Sequence, residues 1–322
     1  MNSLCSVHSH GFHNAKAVVA VASVMSPFTT YNGSFTNTSV MTLAIGTYAT
    51  LGDTASVAVN MLQTKMLFCS SKGLFYCTYS GGSWSSPTQL STTGFTDCVL
   101  SQDGTRGVAV NYWSATASYF INWSAATPTI SVLDSNTRTL AGLSMTPDGN
   151  TVVVSNINVG IFYTTWNGTS YPAFTQIRSQ DGHLTSCVSP DGKTIIYADG
   201  FTQRYLTYNG TAWSSPLSTG LVGDTRGMCF LGGGTSGTPC YWLVSVCSTW
   251  AGGPTGPDLW LFSYNNSTHQ LSGGVDLIAN LPCFANTWAL TPCGAKGNIV
   301  YFANIPASGT TFTINAVTLS VT

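Results

Sequence analysis

The apolar positions of this chain come in short bursts. Leu184-Thr-Ser-Cys-Val188, Thr194-Ile-Ile-Tyr-Ala198, Tyr205-Leu-Thr-Tyr208 and Ala212-Trp-Ser-Ser-Pro-Leu217 follow one another. Each burst is too short for a helix and rich in β-branched or aromatic residues, so each predicts a strand. Turn residues bound them: Ser189-Pro-Asp-Gly192, the loop 199–203, and Asn209-Gly210, a strong two-residue hairpin signal. Pro216 marks the fourth strand as an edge strand, because proline cannot donate to a ladder. Four antiparallel strands in about forty residues make one blade of a β-propeller.

The same spelling recurs. Asp103-Gly104, Asp148-Gly149 and Asp191-Gly192 stand 45 and 43 residues apart. Asn122-Trp-Ser, Trp166-Asn167-Gly168-Thr169 and Tyr208-Asn209-Gly210-Thr211 run in step with them. Two markers in one phase predict a tandem array. Extended along the 322 residues, the array gives an all-β, seven-bladed propeller filling one domain. Its blades are expected at about 1–48, 49–95, 96–138, 139–182, 183–223, 224–285 and 286–322. Six blades is the alternative if residues 1–48 do not complete one. In the first unit Asn32-Gly33 is expected as a hairpin turn. The sixth is stretched by Gly232 to Pro239 and Ala251 to Pro257. The phrase Ser189-Pro-Asp-Gly-Lys-Thr-Ile-Ile-Tyr197 resembles the repeat of TolB-like and related WD-like propellers. Thr291-Pro-Cys-Gly is a degraded copy, the first, second and sixth units lack the phrase, and no Trp-Asp dipeptide occurs. The resemblance implies a fold and no particular activity.

Charge narrows the function. Only 7% of residues are charged, against about 25% in an ordinary soluble domain. The formal net charge is −1, and every acidic residue is Asp. Ten scattered cations give no phosphate-binding surface, so nucleic acid is not an expected partner. No apolar run reaches the roughly 20 residues of a membrane-spanning helix. Ala17 to Met25 has the look of a signal-peptide core, but fits the repeat register as a strand. The expectation is synthesis in the cytosol with no cleaved leader. The ten Cys residues are out of register between units and read mainly as reduced, buried thiols. Cys69 and Cys77, flanking a predicted turn, are the best candidates for a disulfide. No cofactor is implied.

Candidate sites follow from the layout. Before each innermost strand stand Asp53, Asp97, Asn136 with Arg138, Asp181 with His183, Asp224 with Arg226, and Asn286 with Trp288. These loops, with those carrying Trp113 and Trp250, are expected to ring one mouth of the central channel. The regular Asp-Gly and Asn-Gly turns lie on the opposite face, where Asp caps its own turn. His8, His10 and His13 are a weak metal-ligand candidate without a nearby carboxylate. Asn32, Asn37, Asn122, Asn167, Asn209, Asn265 and Asn266 are glycosylation sequons, several of them turn residues in their own right. Trp84 and Trp213 open two Trp-Ser-Ser-Pro strands, and suit either inter-blade packing or a glycan pocket. The leading expectation is a non-enzymatic propeller that binds a protein partner or packs in a larger assembly, such as a virus particle. A carbohydrate-binding propeller is the first alternative. The second is a hydrolase working through Asp53, Asp97, Asp181 and Asp224 with His183.

Overall fold

A computed structural model describes residues 31–50, 55–111, 117–136, 140–156, 159–179, 183–199, 202–231, 240–250, 258–265, 271–276, 291–293, 299–305 and 309–321. Every regular element among them is a β-strand. β1 (Tyr31–Ala44) leads into a first sheet of β2 (Ser56–Val59), β3 (Lys65–Ser70), β4 (Gly73–Ser80), β5 (Ser83–Trp84) and β6 (Thr88–Ser91). The second sheet holds β7 (Asp97–Leu100), β8 (Arg106–Val110), β9 (Ser118–Asn122) and β10 (Thr129–Asp134). The third holds β11 (Leu140–Met145), β12 (Thr151–Asn156), β13 (Gly160–Thr165) and β14 (Thr175–Ser179). A seven-stranded sheet follows: β15 (His183–Val188), β16 (Thr194–Asp199), β17 (Thr202–Thr207), β18 (Leu217–Leu231), β19 (Cys240–Trp250), β20 (Asp258–Asn265) and β21 (Leu271–Asp276). The last is β22 (Thr291–Cys293), β23 (Ile299–Asn304) and β24 (Thr311–Val321), completed by β1.

The propeller therefore has five hydrogen-bonded sheets among the described residues, where seven or six blades were expected. Two features account for the difference. β18 is one continuous strand: its first part pairs with β17 (Thr202↔Val222) and its second with β19 (Asp224↔Thr249). It joins two four-stranded halves where a boundary between units was expected at 223/224. The second feature is β1, whose described residues supply one strand to the last sheet and no sheet of their own. Asn32-Gly33, expected as a hairpin, lies inside β1, in the stretch where the register with β24 shifts between Tyr31 and Phe35. A shift of this kind absorbs a turn-prone pair without breaking the strand.

Why the sequence shows runs rather than alternation is plain from the packing. Successive side chains of a strand point to opposite faces, and here both faces are covered. Met66 and Phe68 of β3 pack toward the closing sheet, against Phe312, Ile314 and Tyr301. Leu67 and Cys69 of the same strand pack the other way, against Phe95, Ile121 and Trp123. Val152 and Val154 of β12 face the second sheet, and Val153 faces the fourth. The core is thus a series of inter-sheet layers, each buried Val, Leu or Phe contributing about 1.5–3 kcal/mol. Cys69, Cys77, Cys98, Cys187 and Cys229 are free and buried within it. Cys69 lies opposite Leu74 and Cys77 opposite Met66, so the expected Cys69–Cys77 disulfide does not form. Burial pushes the Cys77 thiol up to about 12, which removes thiolate chemistry at neutral pH.

The Asp-Gly phrase is one turn built three times. Ser101, Thr146 and Ser189 donate their hydroxyls to Asp103, Asp148 and Asp191 at 2.6, 2.7 and 2.6 Å. The same carboxylates accept the backbone N–H of Thr105, Asn150 and Lys193 at 2.9, 2.9 and 3.0 Å. Gly104, Gly149 and Gly192 take φ of 70°, 68° and 71°, left-handed backbone that glycine adopts without strain. A different need fixes Gly160, which has φ 137° and would place a Cβ 1.8 Å from the Arg178 carbonyl oxygen of the neighbouring strand. Gly160→Ala is expected to destabilise the protein by at least about 2 kcal/mol, read as a lower denaturant midpoint.

Candidate functional site

The residues expected at the channel mouth fare differently. Asp97 is 1% exposed, its carboxylate turned into the protein at the start of β7. Ser56 of β2 donates its hydroxyl to Asp97 Oδ1 at 2.8 Å, and the Leu143 N–H of β11 donates to Oδ2 at 2.9 Å. One carboxylate thereby ties together the first strands of three consecutive sheets. Burial lifts its pKa from an ordinary 3.8 to about 7, while the Ser56 and Leu143 donors pull the other way. Asn136 is exposed and donates its backbone and side-chain N–H groups to Asp134 at 2.9 and 2.7 Å, closing its own turn. His183 begins β15 and pairs with Asp199; Asp224 and Arg226 lie along β18; Trp250 ends β19 opposite Gly223. Asp53, Arg138, Asp181, Asn286, Trp288 and Trp113 lie outside the described residues, as do His8, His10 and His13. Among the described residues no three His, Cys or Asp side chains come together as a metal-binding group.

A larger feature lies at the seam where the ring closes. Between β1 and the first sheet runs a groove of about 760 Å³, lined by Leu62, Gln63, Tyr79, Trp84, Tyr301 and residues 38–41 of β1, with no charged side chain among the described residues. The turn that forms its rim departs from its sisters. Gln63 N–H donates to the Asn60 carbonyl at 2.9 Å, the same bond that Gly104 makes to Ser101 and Gly149 to Thr146. Gln63 therefore occupies the glycine position, at φ 55°, the one positive φ of a non-glycine residue among the described residues. Leu62 occupies the position of Asp103 and is 70% exposed. Asn60 takes over the missing cap, its Oδ1 accepting both Thr64 N–H and Lys65 N–H at 2.8 Å.

A left-handed non-glycine residue costs about 1–3 kcal/mol, and a bare leucine adds nothing to a turn. Both irregular choices line the groove. The Tyr301 hydroxyl donates to Gln63 Oε1 at 2.8 Å and fixes that side chain across the seam. Tyr79, 42% exposed, meets Trp84 edge to face with ring centroids 5.3 Å apart. Sequence reasoning singled out Trp84 but passed over Leu62, Gln63 and Tyr79. The available signal was negative: a unit in phase with its neighbours that has lost the Asp-Gly pair. Trp213, the counterpart of Trp84, packs on Tyr163 of the preceding sheet at 6.0 Å, so it serves inter-sheet packing.

Comparison with known proteins bears on the fold. No protein family matches the chain, and no curated protein matches it. Among solved structures it is similar to the β-propeller domain of Myceliophteria thermophila Cps50 (Swd1), with a TM-score of 0.52 and 8% identity over 82% of each chain. A likeness at that identity establishes the propeller fold and nothing about activity.

The Asp97 shift sets a pH dependence. Its folded pKa lies above the unfolded value, so the stability it contributes is fully present below about pH 4 and is lost as pH rises through about 7. Thermal melts between pH 4 and 8 are expected to fall with pH more steeply for the wild type than for Asp97→Asn. Parallel curves would show that this carboxylate does not titrate in the folded protein.

Proposed function

We propose that this chain is a non-enzymatic interaction propeller that binds a protein partner, with the closing-seam groove as its docking site. The observation that carries the reading is Leu62. It is a large apolar side chain, 70% exposed, placed on the rim of a groove of about 760 Å³ by a turn that forgoes the residues its sisters use. Local rules broken without a folding benefit are where function is to be sought.

The described carboxylates support the same reading. Asp103, Asp148 and Asp191 cap turns. Asp134 accepts from Asn136 and from Phe174 N–H, and Asp199 pairs with Arg204 at 2.7 Å. Each of these is engaged in holding structure. The irregular loops of the opposite rim remain a second proposed contact surface, through Asn136 and the loops around it.

The test is site-directed photo-crosslinking in cells that make the protein. A benzophenone residue at position 62 is expected to trap one partner at a defined mass. The trapped species should disappear when unlabelled protein is added in excess, and should not form from position 217, an exposed leucine away from the groove. Equal labelling from both positions, or none from position 62, would contradict the reading.

A further inference from the structure

The glycine-bearing turns of this chain are built in two ways. In the Asp-Gly turns the glycine nitrogen is engaged: Gly104, Gly149 and Gly192 each donate to the carbonyl three residues back, at 2.8 Å. In the Asn-Gly turns it is not. Among the described residues neither Gly168 N–H nor Gly210 N–H has an acceptor, and a Cβ at either glycine would meet open space.

The asparagine ahead of each of these nitrogens is held in the same manner. Asn167 Oδ1 accepts Thr169 N–H at 3.0 Å, the Thr169 hydroxyl at 3.0 Å and Ser170 N–H at 2.9 Å. Asn209 Oδ1 accepts Thr211 N–H, the Thr211 hydroxyl and Ala212 N–H, each at 2.9 Å. Both asparagines are exposed, and they stand at the same point of two consecutive units. Two other asparagines have comparable donors but no free nitrogen beside them. Asn60 Oδ1 accepts Thr64 N–H and Lys65 N–H at 2.8 Å, yet the next N–H, that of Met61, donates to the Gln102 carbonyl at 2.9 Å. Asn122 Oδ1 accepts the Ser124 hydroxyl at 2.7 Å and Ser124 N–H at 3.1 Å, yet Trp123 N–H donates to the Thr105 carbonyl at 2.7 Å.

We infer that Asn167 and Asn209 are self-modification sites, at which each turn promotes the deamidation of its own asparagine. The Gly168 nitrogen gives up its proton to hydroxide and attacks Asn167 Cγ, and the new C–N bond closes a five-membered ring. Negative charge develops on Oδ1, where three donors already point; donors arranged in advance around a developing oxyanion lower the barrier. Nδ2 takes a proton from solvent and leaves as ammonia as its bond to Cγ breaks. Its hold in the starting turn is a single bond of 3.4 Å to Ser170 Oγ. Water then opens the cyclic imide at either carbonyl, giving aspartate or isoaspartate, with no oxidant or cofactor consumed. The Asn209-Gly210 turn follows the same course. Each event adds a negative charge to an exposed turn of a chain whose formal net charge is −1, and the isoaspartate product also lengthens the main chain at the hairpin by a methylene.

The experiment is peptide mapping by mass spectrometry of the folded full chain, made in bacteria and held in mildly alkaline buffer, with an isoaspartyl methyltransferase label to separate the two products. Asn167 and Asn209 are expected to convert while Asn60 and Asn122 persist. Thr169→Val, at an exposed position, removes one donor to Oδ1 and is expected to slow conversion at Asn167 about fivefold, the worth of one hydrogen bond, with Asn209 unchanged. Thr169→Ser keeps the hydroxyl and is expected to restore the rate. In the urea-unfolded chain both asparagines still precede glycine, but Thr169→Val is expected to change nothing. Persistence of Asn167 and Asn209 in the folded chain, or a rate in Thr169→Val equal to or above that of the wild type, would overturn the inference. Equal slowing in urea would assign the effect to local sequence rather than to the turn, and would overturn it as well.

Discussion

The pairing of β1 with β24 is the constraint on which the rest of the structure depends. A ring of sheets has no free inner edges only if its first and last members meet. Here the meeting is made by the start of the described chain joining its end, with register from Tyr31↔Val321 to Ala44↔Thr311. The layer beneath it buries Phe312, Ile314, Met66 and Phe68 between the closing sheet and the first. Those strands are separated by more than two hundred residues in sequence, so closure must await the whole chain, and loop-closure entropy opposes it. The side chains that anchor the first sheet to the second, Leu67 and Cys69, alternate along β3 with those that seal the ring. Loosening one seam therefore loosens the next.

Closure also explains where a site can arise. Three interior seams are filled by the protein's own side chains: a lysine, an arginine, and a tryptophan on a tyrosine. The closing seam joins strands from opposite ends of the chain, and one of them, β1, is a long single strand with register shifts. An aromatic pair, an exposed leucine and a strained Gln63 are left bordering open space. In a molecule with only 7% charged residues, specificity at such a place rests on shape, ring faces and backbone carbonyls.

Legibility in the sequence tracked how well each unit kept its turn chemistry. The second and third sheets and the first half of the seven-stranded one were readable because Asp103-Gly104, Asp148-Gly149 and Asp191-Gly192 are determined by local hydrogen bonds alone. The first unit was misread because Asn32-Gly33 favours a turn in isolation, and only the long-range ladder with β24 overrides it. The blade count failed for a related reason. β18 runs unbroken from Leu217 to Leu231 across the boundary expected at 223/224. Asp97 was legible as a special residue but not as a buried one, since what buries it comes from Ser56 and Leu143, about forty residues to either side. The groove was hidden because its signature is the absence of a motif.

The most direct test of this account is amide hydrogen exchange across the closing sheet. If β1 seals the ring, amides of residues 36–44 will exchange as slowly as those of their partners in β24 and in β23, and all three will open together as denaturant is added. If residues 36–44 exchange orders of magnitude faster than β23 while the other sheets stay protected, the ring is not closed by this strand. The seam on which the groove depends would then not exist.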